Sequence, residues 1–205
     1  PARAWRPAVV ARLARTLGFT KRTHWPEMQQ TVLDFWFSEI APAQQWTANP
    51  EFDRIIAKRF GFLHEQAVQS ELYEWRRDPT GRLAEIIVLD QFSRNLHRNT
   101  PKAFAADPMA LALAQEAIAA KADFELPVEK RVFLYMPFMH SESPAIHQTA
   151  ERLFRDNGVQ NNYDFELKHK AIIDRFGRYP HRNAILGRQS TLEEVSFLQQ
   201  PGSSF

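Results

Sequence analysis

The chain of 205 residues contains no cysteine, which excludes a disulfide framework, a thiol nucleophile and a thiolate metal site. No apolar stretch approaches the roughly 20 residues that a helix needs to cross a bilayer, so the sequence predicts no membrane span. No segment alternates apolar and polar residues over the length of a strand. The lack of alternation favours a helical protein. The lack of cysteine is typical of cytoplasmic proteins, and we expect this protein to lie in the cytoplasm.

Acidic residues are absent before Glu27, although six of the 26 lysines and arginines precede that position. The remaining 20 basic residues face 24 acidic ones, so the body of the chain is mildly acidic and nucleic-acid binding is disfavoured. Within residues 1–24, a possible short helix would align four apolar side chains: Trp5, Val9, Leu13 and Leu17. This basic N-terminal extension either addresses a membrane surface or docks on the domain, and we favour docking. Residues 25–205 are expected to form a single domain.

Helix-starting signals recur along the chain. Asn49-Pro50, Asp107-Pro108 and Ser143-Pro144 each place a capping side chain before a proline that suits the first helical position. Capping boxes at Ser190 with Glu193, or Thr191 with Glu194, predict a last helix through Leu198. Other helical patterns cover residues 31–38, 83–95, 109–121, 128–136 and 163–176. The sequence therefore predicts an all-α domain of about eight to ten helices with short connections.

Polar residues continue the apolar face of the segment 82–98. Ile86 to Leu89 make its centre apolar all round, which is typical of a buried helix, and the face then continues to Asp90, Gln91, Arg94, Asn95 and Arg98. A buried carboxylate without a partner costs several kcal/mol, so Asp90 needs one, and Arg94 four residues later is the nearest. Asp90 is a candidate for orienting a catalytic group, and the other four are candidate ligand-binding residues.

Three histidines lie near apolar helices. His169 interrupts the apolar face of residues 163–176, either as a hydrogen-bonded core residue or as a general base at the bottom of a pocket. His140 and Glu142 follow Pro137, which we expect to end an apolar helix, and are further catalytic candidates. With His147 they could offer metal ligands, but their spacing matches no standard motif, so capping and loop bracing are favoured and no metal site is predicted. The sequence identifies no cofactor.

Residues 175–191, RFGRYPHRNAILGRQST, contain four arginines. Backbone requirements account for the glycines and the proline, but not for the charged side chains. The planar fork of arginine suits carboxylate and phosphate, whereas the alternative is that these arginines bind helix ends and the domain's own carboxylates. The candidate ligand-binding residues here are Arg178, His181, Arg182 and Asn183.

Several blocks, taken in order, resemble a known family: DFWF at 34–37, LDQF at 89–92 followed by Arg94-Asn95, then MP at 136–137, HSE at 140–142 and RFGRYPHRN at 175–183. The family is an uncharacterised bacterial domain of unknown function with an all-helical, TPR-like fold. The resemblance runs from about Thr31 to Leu198. It implies stacked antiparallel helices, and it assigns no catalytic or binding residue. We detect no sequence repeat of about 34 residues, so any repeat is one of shape.

Two hypotheses about function remain open. In the first, arginines at 94, 98, 178 and 182 hold a small anionic metabolite, with His169 or His140 as acid or base and Asp90 or Glu142 orienting it. This hypothesis requires the side chains to converge on one concavity. In the second, a TPR-like groove binds a peptide or a protein partner. RNA binding through the basic extension is a third and weaker reading. We favour the first and leave both enzymatic activity and oligomeric state open.

Overall fold

The computed structural model describes residues 25–204, and the possible helix of the basic extension lies outside them. Within the described part of the chain, helices and turns account for all regular structure and no strand is present. The prediction of an all-α fold is therefore confirmed. None of the helices in residues 25–204 is both long and apolar enough to cross a membrane. The TPR-like stacking of helix pairs stays a prediction.

Nine α-helices follow one another in the described residues. They are α1 (Trp25–Asp34), α2 (Pro50–Val68), α3 (Pro79–Ile87), α4 (Ser93–Leu96), α5 (Asp107–Ala119), α6 (Val128–Met139), α7 (Pro144–Asn157), α8 (Gln160–Phe176) and α9 (Leu192–Leu198). Consecutive helices α6, α7 and α8 pack side by side, and α3 packs against α1, α5 and α6. The C-terminal end of α6 lies beside the segment that follows α3, because His140 contacts Asp90 there.

Capping side chains begin several helices where the sequence predicted them. The Asn49 side chain accepts hydrogen bonds from the backbone N–H groups of Glu51 and Phe52, and Thr191 forms a reciprocal capping box with Glu194. Asp107 differs from the prediction because it is the first residue of α5 and its carboxylate binds arginines instead of capping the helix. Ser143 precedes α7 without a side-chain capping bond.

Two boundaries near the central polar residues differ from the prediction. The helix expected from residue 83 begins at Pro79, because Asp78 accepts a hydrogen bond from the backbone N–H of Gly81. Pro137 does not end the apolar helix: α6 continues to Met139, and its last turn is closed by a hydrogen bond from His140 N to Met136 O. His140 consequently lies at the C-terminal end of a buried helix rather than in a loop.

A π-helical turn, Val88–Phe92, joins α3 to α4. All five of its residues are buried, including Asp90 and Gln91. A π-turn inserts one residue into an α-helix and frequently occurs at functional sites. The insertion lets two consecutive polar residues lie in the interior, a feature that a regular 3.6-residue period does not predict.

An aromatic cluster forms the main core beneath this turn. The ring centroids of Phe60 lie 5.0 Å from Phe35 and 4.9 Å from Phe92, and those of Trp36 and Phe133 are 5.7 Å apart. These separations are within the favourable range of about 4.5–7 Å for aromatic pairs. The core therefore holds the α3–α4 segment rigidly and leaves its polar face toward a cavity on the other side.

Candidate functional site

The main cavity has a volume of about 800 Å³. Its walls come from residues 44–48, the α3–α4 segment, the end of α6, the first half of α8 and the loop after α8. Eight of the twelve candidate residues from the sequence line it: Gln91, Arg94, Asn95, Arg98, His140, His169, His181 and Arg182. Side chains that are far apart in the chain thus converge on one concavity, as the small-molecule hypothesis requires.

The cavity lining has an uneven balance of charge. Three arginines, at 94, 98 and 182, lie in the wall, and the described lining residues include no aspartate or glutamate. The carboxylates that bind these arginines are Asp53, Asp90 and Asp107, and none of the three belongs to the lining. Three guanidinium groups therefore border the cavity, whereas the carboxylates that bind them lie outside its lining.

Asp90 is completely buried behind the wall. Its Oδ1 lies 2.8 Å from His140 Nδ1 and 3.2 Å from Arg94 Nη1, and its Oδ2 accepts a hydrogen bond of 2.6 Å from Gln91 Nε2. Burial alone would raise the pKa of Asp90, but the charge of Arg94 and the hydrogen bonds from His140 and Gln91 hold it below its ordinary value. Asp90 therefore remains an ionised acceptor for three side chains of the lining.

Arg94 also forms a partly buried ion pair with Asp107. Its Nη1 and Nη2 donate to Oδ1 and Oδ2 of Asp107 at 2.9 and 3.0 Å, and Nη1 also donates to the backbone oxygen of Asp90 at 2.7 Å. Burial would lower the pKa of Arg94, but Asp90 and Asp107 raise it above its ordinary value. Arg94 is therefore a fixed cation with two carboxylate partners.

Arg182 shares Asp107 with Arg94 but is bound less completely. Its Nη1 lies 3.4 Å from Asp107 Oδ2, and its buried Nε has no hydrogen-bond acceptor among residues 25–204. The guanidinium carbon lies 4.5 Å from the ring centroid of Tyr179 and 4.6 Å from that of Phe104. Burial and the charge of Arg94 lower the pKa of Arg182. This arginine is held in place by rings and retains hydrogen-bonding capacity.

A further ion pair, with Asp53, positions Arg98. Arg98 donates from Nε and Nη2 to both oxygens of Asp53 at 2.7 and 2.8 Å, and Asn95 Nδ2 donates to Asp53 Oδ1 at 2.9 Å. Burial would raise the pKa of Asp53, but these hydrogen bonds lower it. Asp53 therefore orients two lining residues from α2 without itself lining the cavity.

The three histidines of the lining favour their neutral forms. Burial lowers the pKa of His169 to about 3, and burial with the charge of Arg182 lowers that of His181 to about 4. Burial and the charge of Arg94 lower the pKa of His140. His169 Nδ1 also donates to the backbone oxygen of Phe165 at 2.8 Å. His169 is therefore both a hydrogen-bonded buried residue and a part of the cavity wall.

Three other candidates lie outside the main cavity and brace the loop after α8. Arg178 binds both oxygens of Glu194 at 2.6 and 2.8 Å, and Asn183 donates to Ser190 Oγ at 3.0 Å. Glu142 accepts hydrogen bonds from Tyr179 N at 2.7 Å and from the guanidinium of Arg188. Glu142 also lines a second cavity of about 350 Å³, whose walls share His140 and Arg182 with the main one.

His147 forms hydrogen bonds with a buried carboxylate and a backbone carbonyl. Its Nδ1 lies 2.7 Å from Glu166 Oε1, and its Nε2 lies 2.8 Å from the backbone oxygen of Ser141. Tyr179, whose hydroxyl donates to Met139 O at 2.5 Å, contacts the same imidazole. No group of three or more potential metal-binding side chains occurs within residues 25–204. His147 and Glu166 thus form a buried pair that supports Tyr179 beneath the cavity.

Sequence reasoning identified Asp90 but missed the two other carboxylates that bind the arginines of the cavity, Asp53 and Asp107. Asp53 lies 42 positions from Asn95 and 45 from Arg98, so no local spacing predicts their hydrogen bonds. Asp107 was interpreted as a helix cap, and only the fold brings it to Arg182, 75 positions later. Aromatic residues of the lining, such as Phe104, carry no signal that separates them from ordinary core residues.

Comparisons with known proteins agree with the fold. A family model described as "Bacterial protein of unknown function (DUF924)" matches residues 32–202. A solved structure, of a protein of unknown function named ATU0120 from Agrobacterium tumefaciens, is 36% identical and superposes with a TM-score of 0.81, covering 85% of this chain and 98% of that one. A comparison with curated proteins found no match. The chain belongs to the DUF924 family of bacterial proteins of unknown function.

Proposed function

We propose that the protein binds a small anionic metabolite, with a carboxylate or a phosphate group, in the main cavity. The observation that carries this proposal is the lining itself, which has three arginines and, among its described residues, no carboxylate. An anion that enters meets guanidinium donors first, because Asp53, Asp90 and Asp107 lie behind them. Converging arginines form the donor arrangement that carboxylate and phosphate groups prefer.

Arg182 is the residue best prepared to bind the anion. Arg94 donates two hydrogen bonds to Asp107, which leaves Arg182 a single long contact of 3.4 Å and a buried Nε without an acceptor in the described chain. A buried donor without an acceptor costs about 1–3 kcal/mol. An anion beside Arg182 would supply that acceptor and offset the repulsion between the two guanidinium groups.

The dimensions and the remaining lining fit a small molecule. Ligand cavities typically measure about 300–1,000 Å³ and combine apolar surface with a few placed polar groups, and this cavity has about 800 Å³. Phe104, Met136, Met139 and Phe165 contribute apolar surface to the same walls. A metabolite with a short carbon skeleton and an anionic group would satisfy both kinds of lining.

A second candidate function is the binding of a peptide or protein segment. Trp46 and Phe165 line the cavity and remain 54% and 40% exposed, which is typical of side chains that contact a partner. In this case the arginine pairs would brace the interior, and isolated metabolites would not bind. The two functions differ in whether a small anion alone stabilises the fold.

A thermal-shift screen with phosphorylated and carboxylated metabolites tests the main proposal. A ligand at about 100 times its dissociation constant adds roughly 2.7 kcal/mol to the free energy of unfolding, which raises the Tm by about 5–10 °C for a domain of this size. Arg182→Met should remove that shift, because methionine keeps apolar contact with the two rings and loses the donors. His169→Ala should weaken the shift by changing the cavity floor.

Arg178→Met is the matched control, since Arg178 also binds a carboxylate in two places but lies outside the main cavity. We expect this variant to keep the ligand-induced shift of the wild type. A shift that disappears equally in the Arg178 and Arg182 variants would place the anion elsewhere. The absence of a shift with every anion would favour the peptide-binding function.

A further inference from the structure

The carboxylate of Asp90 determines which atoms of His140 and Gln91 donate hydrogen bonds and which remain as acceptors. An ionised carboxylate only accepts hydrogen bonds, and the pKa of Asp90 is held below its ordinary value. His140 must therefore carry its proton on Nδ1, which lies 2.8 Å from Asp90, and Gln91 must direct its NH₂ group to the same carboxylate at 2.6 Å. What remains is an acceptor on each residue: His140 Nε2 and Gln91 Oε1.

Asp53 has the same effect on the adjacent turn of the helix. Asn95 donates from Nδ2 to Asp53 Oδ1 at 2.9 Å, so its amide nitrogen is committed to the carboxylate and its Oδ1 remains as an acceptor. Arg98 binds the same carboxylate through Nε and Nη2, which leaves Nη1 as a donor. This side of the cavity therefore offers both hydrogen-bond donors and acceptors.

Three hydrogen-bond acceptors thus accompany the arginines in the cavity wall. No residue in 25–204 donates a hydrogen bond to His140 Nε2, Gln91 Oε1 or Asn95 Oδ1, although all three residues line the cavity. A simple inorganic anion, or an alkyl carboxylate, would satisfy the arginines and leave these acceptors without a donor. The wall is complementary to a ligand that brings both an anionic group and hydrogen-bond donors.

We infer that the ligand is a hydroxylated anion, such as a hydroxy acid or a polyol phosphate, whose O–H groups donate to Gln91, Asn95 and His140 while its anionic group binds Arg182. This inference rests on the proposed function and specifies its substrate class. Hydroxyl groups fit better than an ammonium group, because the described lining contains three arginines and no carboxylate to balance a further cation.

The expected selectivity follows from the cost of an acceptor that loses water and gains no donor. That cost, about 1–3 kcal/mol per group, corresponds to a roughly 5- to 150-fold difference in dissociation constant. Sites that form hydrogen bonds to a ligand hydroxyl reject analogues without it for the same reason. The hydroxylated member of a matched pair should therefore bind at least about fivefold more tightly.

Isothermal titration of the full chain with three matched pairs tests this inference: malate and succinate, citrate and tricarballylate, glycerol 3-phosphate and propyl phosphate. Each pair has the same anionic groups and differs in hydroxyl content. The wild type should prefer the hydroxylated member of at least one pair, and Gln91→Met or Asn95→Leu should reduce that preference while the hydroxyl-free analogue keeps its affinity. Gln30→Met is the matched control, because Gln30 also donates to an aspartate, Asp34, but lies outside the cavity.

The outcomes separate the two proposals. Equal affinity for both members of every pair that binds would overturn the inference and leave anion binding intact. A hydroxyl preference that survives in both the Gln91 and Asn95 variants would show that these oxygens are not the acceptors, and would also overturn it. If none of the six compounds binds, the proposed function fails and the inference fails with it. The wild-type comparison decides the question even if a variant does not fold.

Discussion

Replacement of Asp107 by asparagine should destabilise the protein and yet strengthen its response to anions. Asp107 accepts two hydrogen bonds from Arg94 and a longer one from Arg182. Asparagine keeps the size of the side chain but removes its charge. Arg94 then has Asp90 as its remaining carboxylate partner, and Asp90 already binds His140 and Gln91, while Arg182 loses its hydrogen bond to a carboxylate.

The size of the effect follows from the burial of these side chains. Removal of one partner from a buried ion pair costs about 3–5 kcal/mol. Asp107 and Arg94 retain 14% and 20% of their side-chain exposure, so we expect a smaller loss of about 2–4 kcal/mol in the free energy of unfolding. For a domain of this size the loss lowers the Tm by about 5–15 °C.

Urea denaturation of wild type and Asp107→Asn, with and without inorganic phosphate, measures both effects. Phosphate should stabilise the variant more than the wild type, because the competing carboxylate has been removed from Arg182. Asp156→Asn is the control, since Asp156 forms an exposed pair with Arg155 and its loss should change stability by less than about 1 kcal/mol. Equal stability of Asp107→Asn and wild type, or a weaker phosphate effect in the variant, would refute the reasoning.

Three further predictions concern a buried histidine, two helical glycines and a helix cap. Burial lowers the pKa of His169 to about 3 in the folded state, so the unfolded chain binds more protons below pH 6.5 and the free energy of unfolding should fall on acidification. His169→Gln should reduce this fall between pH 7 and 4.5 by about 2 kcal/mol, as measured by urea denaturation at each pH. Gly81→Ala should lower the free energy of unfolding by more than about 2 kcal/mol, because a Cβ there would lie 2.1 Å from the carbonyl oxygen of Trp75. Gly61→Ala, where no atom lies within 4 Å of the added Cβ, should instead stabilise α2 by about 0.5–1 kcal/mol in the same assay. Thr191→Ala removes the hydroxyl that caps α9 and should lower the free energy of unfolding by about 1 kcal/mol, and an unchanged value would contradict the role of the cap.

Local signals in the sequence predicted most of the helices. Capping residues and apolar periodicity predicted where α2 and α9 begin, and the glycines at 158 and 177 adopt the left-handed conformation that ends α7 and α8, with φ values of 78° and 68°. The π-turn at Val88–Phe92 was not predictable, because an inserted residue leaves no mark in a hydrophobic pattern. The start of α3 was missed although Asp78-Pro79 carries the same signal as Asn49-Pro50.

The sequence predicted the polar residues of the cavity lining and Asp90, but not the other two carboxylates that bind the arginines. Polar residues on apolar faces, such as Asn95 and His169, are costly and therefore stand out in a sequence. Asp53, the partner of Asn95, and Asp107, the partner of Arg94 and Arg182, lie in the first turn of a helix, where an acidic residue is ordinary, so nothing local distinguishes them. The sequence likewise does not separate the arginines that line the cavity from Arg178, because both kinds lie in equally basic surroundings.

A crystal structure of the wild type, grown with the tightest-binding compound of the three matched pairs, tests the central claim most directly. The account predicts electron density in the main cavity, with an anionic oxygen within hydrogen-bonding distance of Arg182 Nε and a hydroxyl beside Gln91 or Asn95. Density for the compound at another surface, with the main cavity free of it at saturating concentration, would contradict the claim.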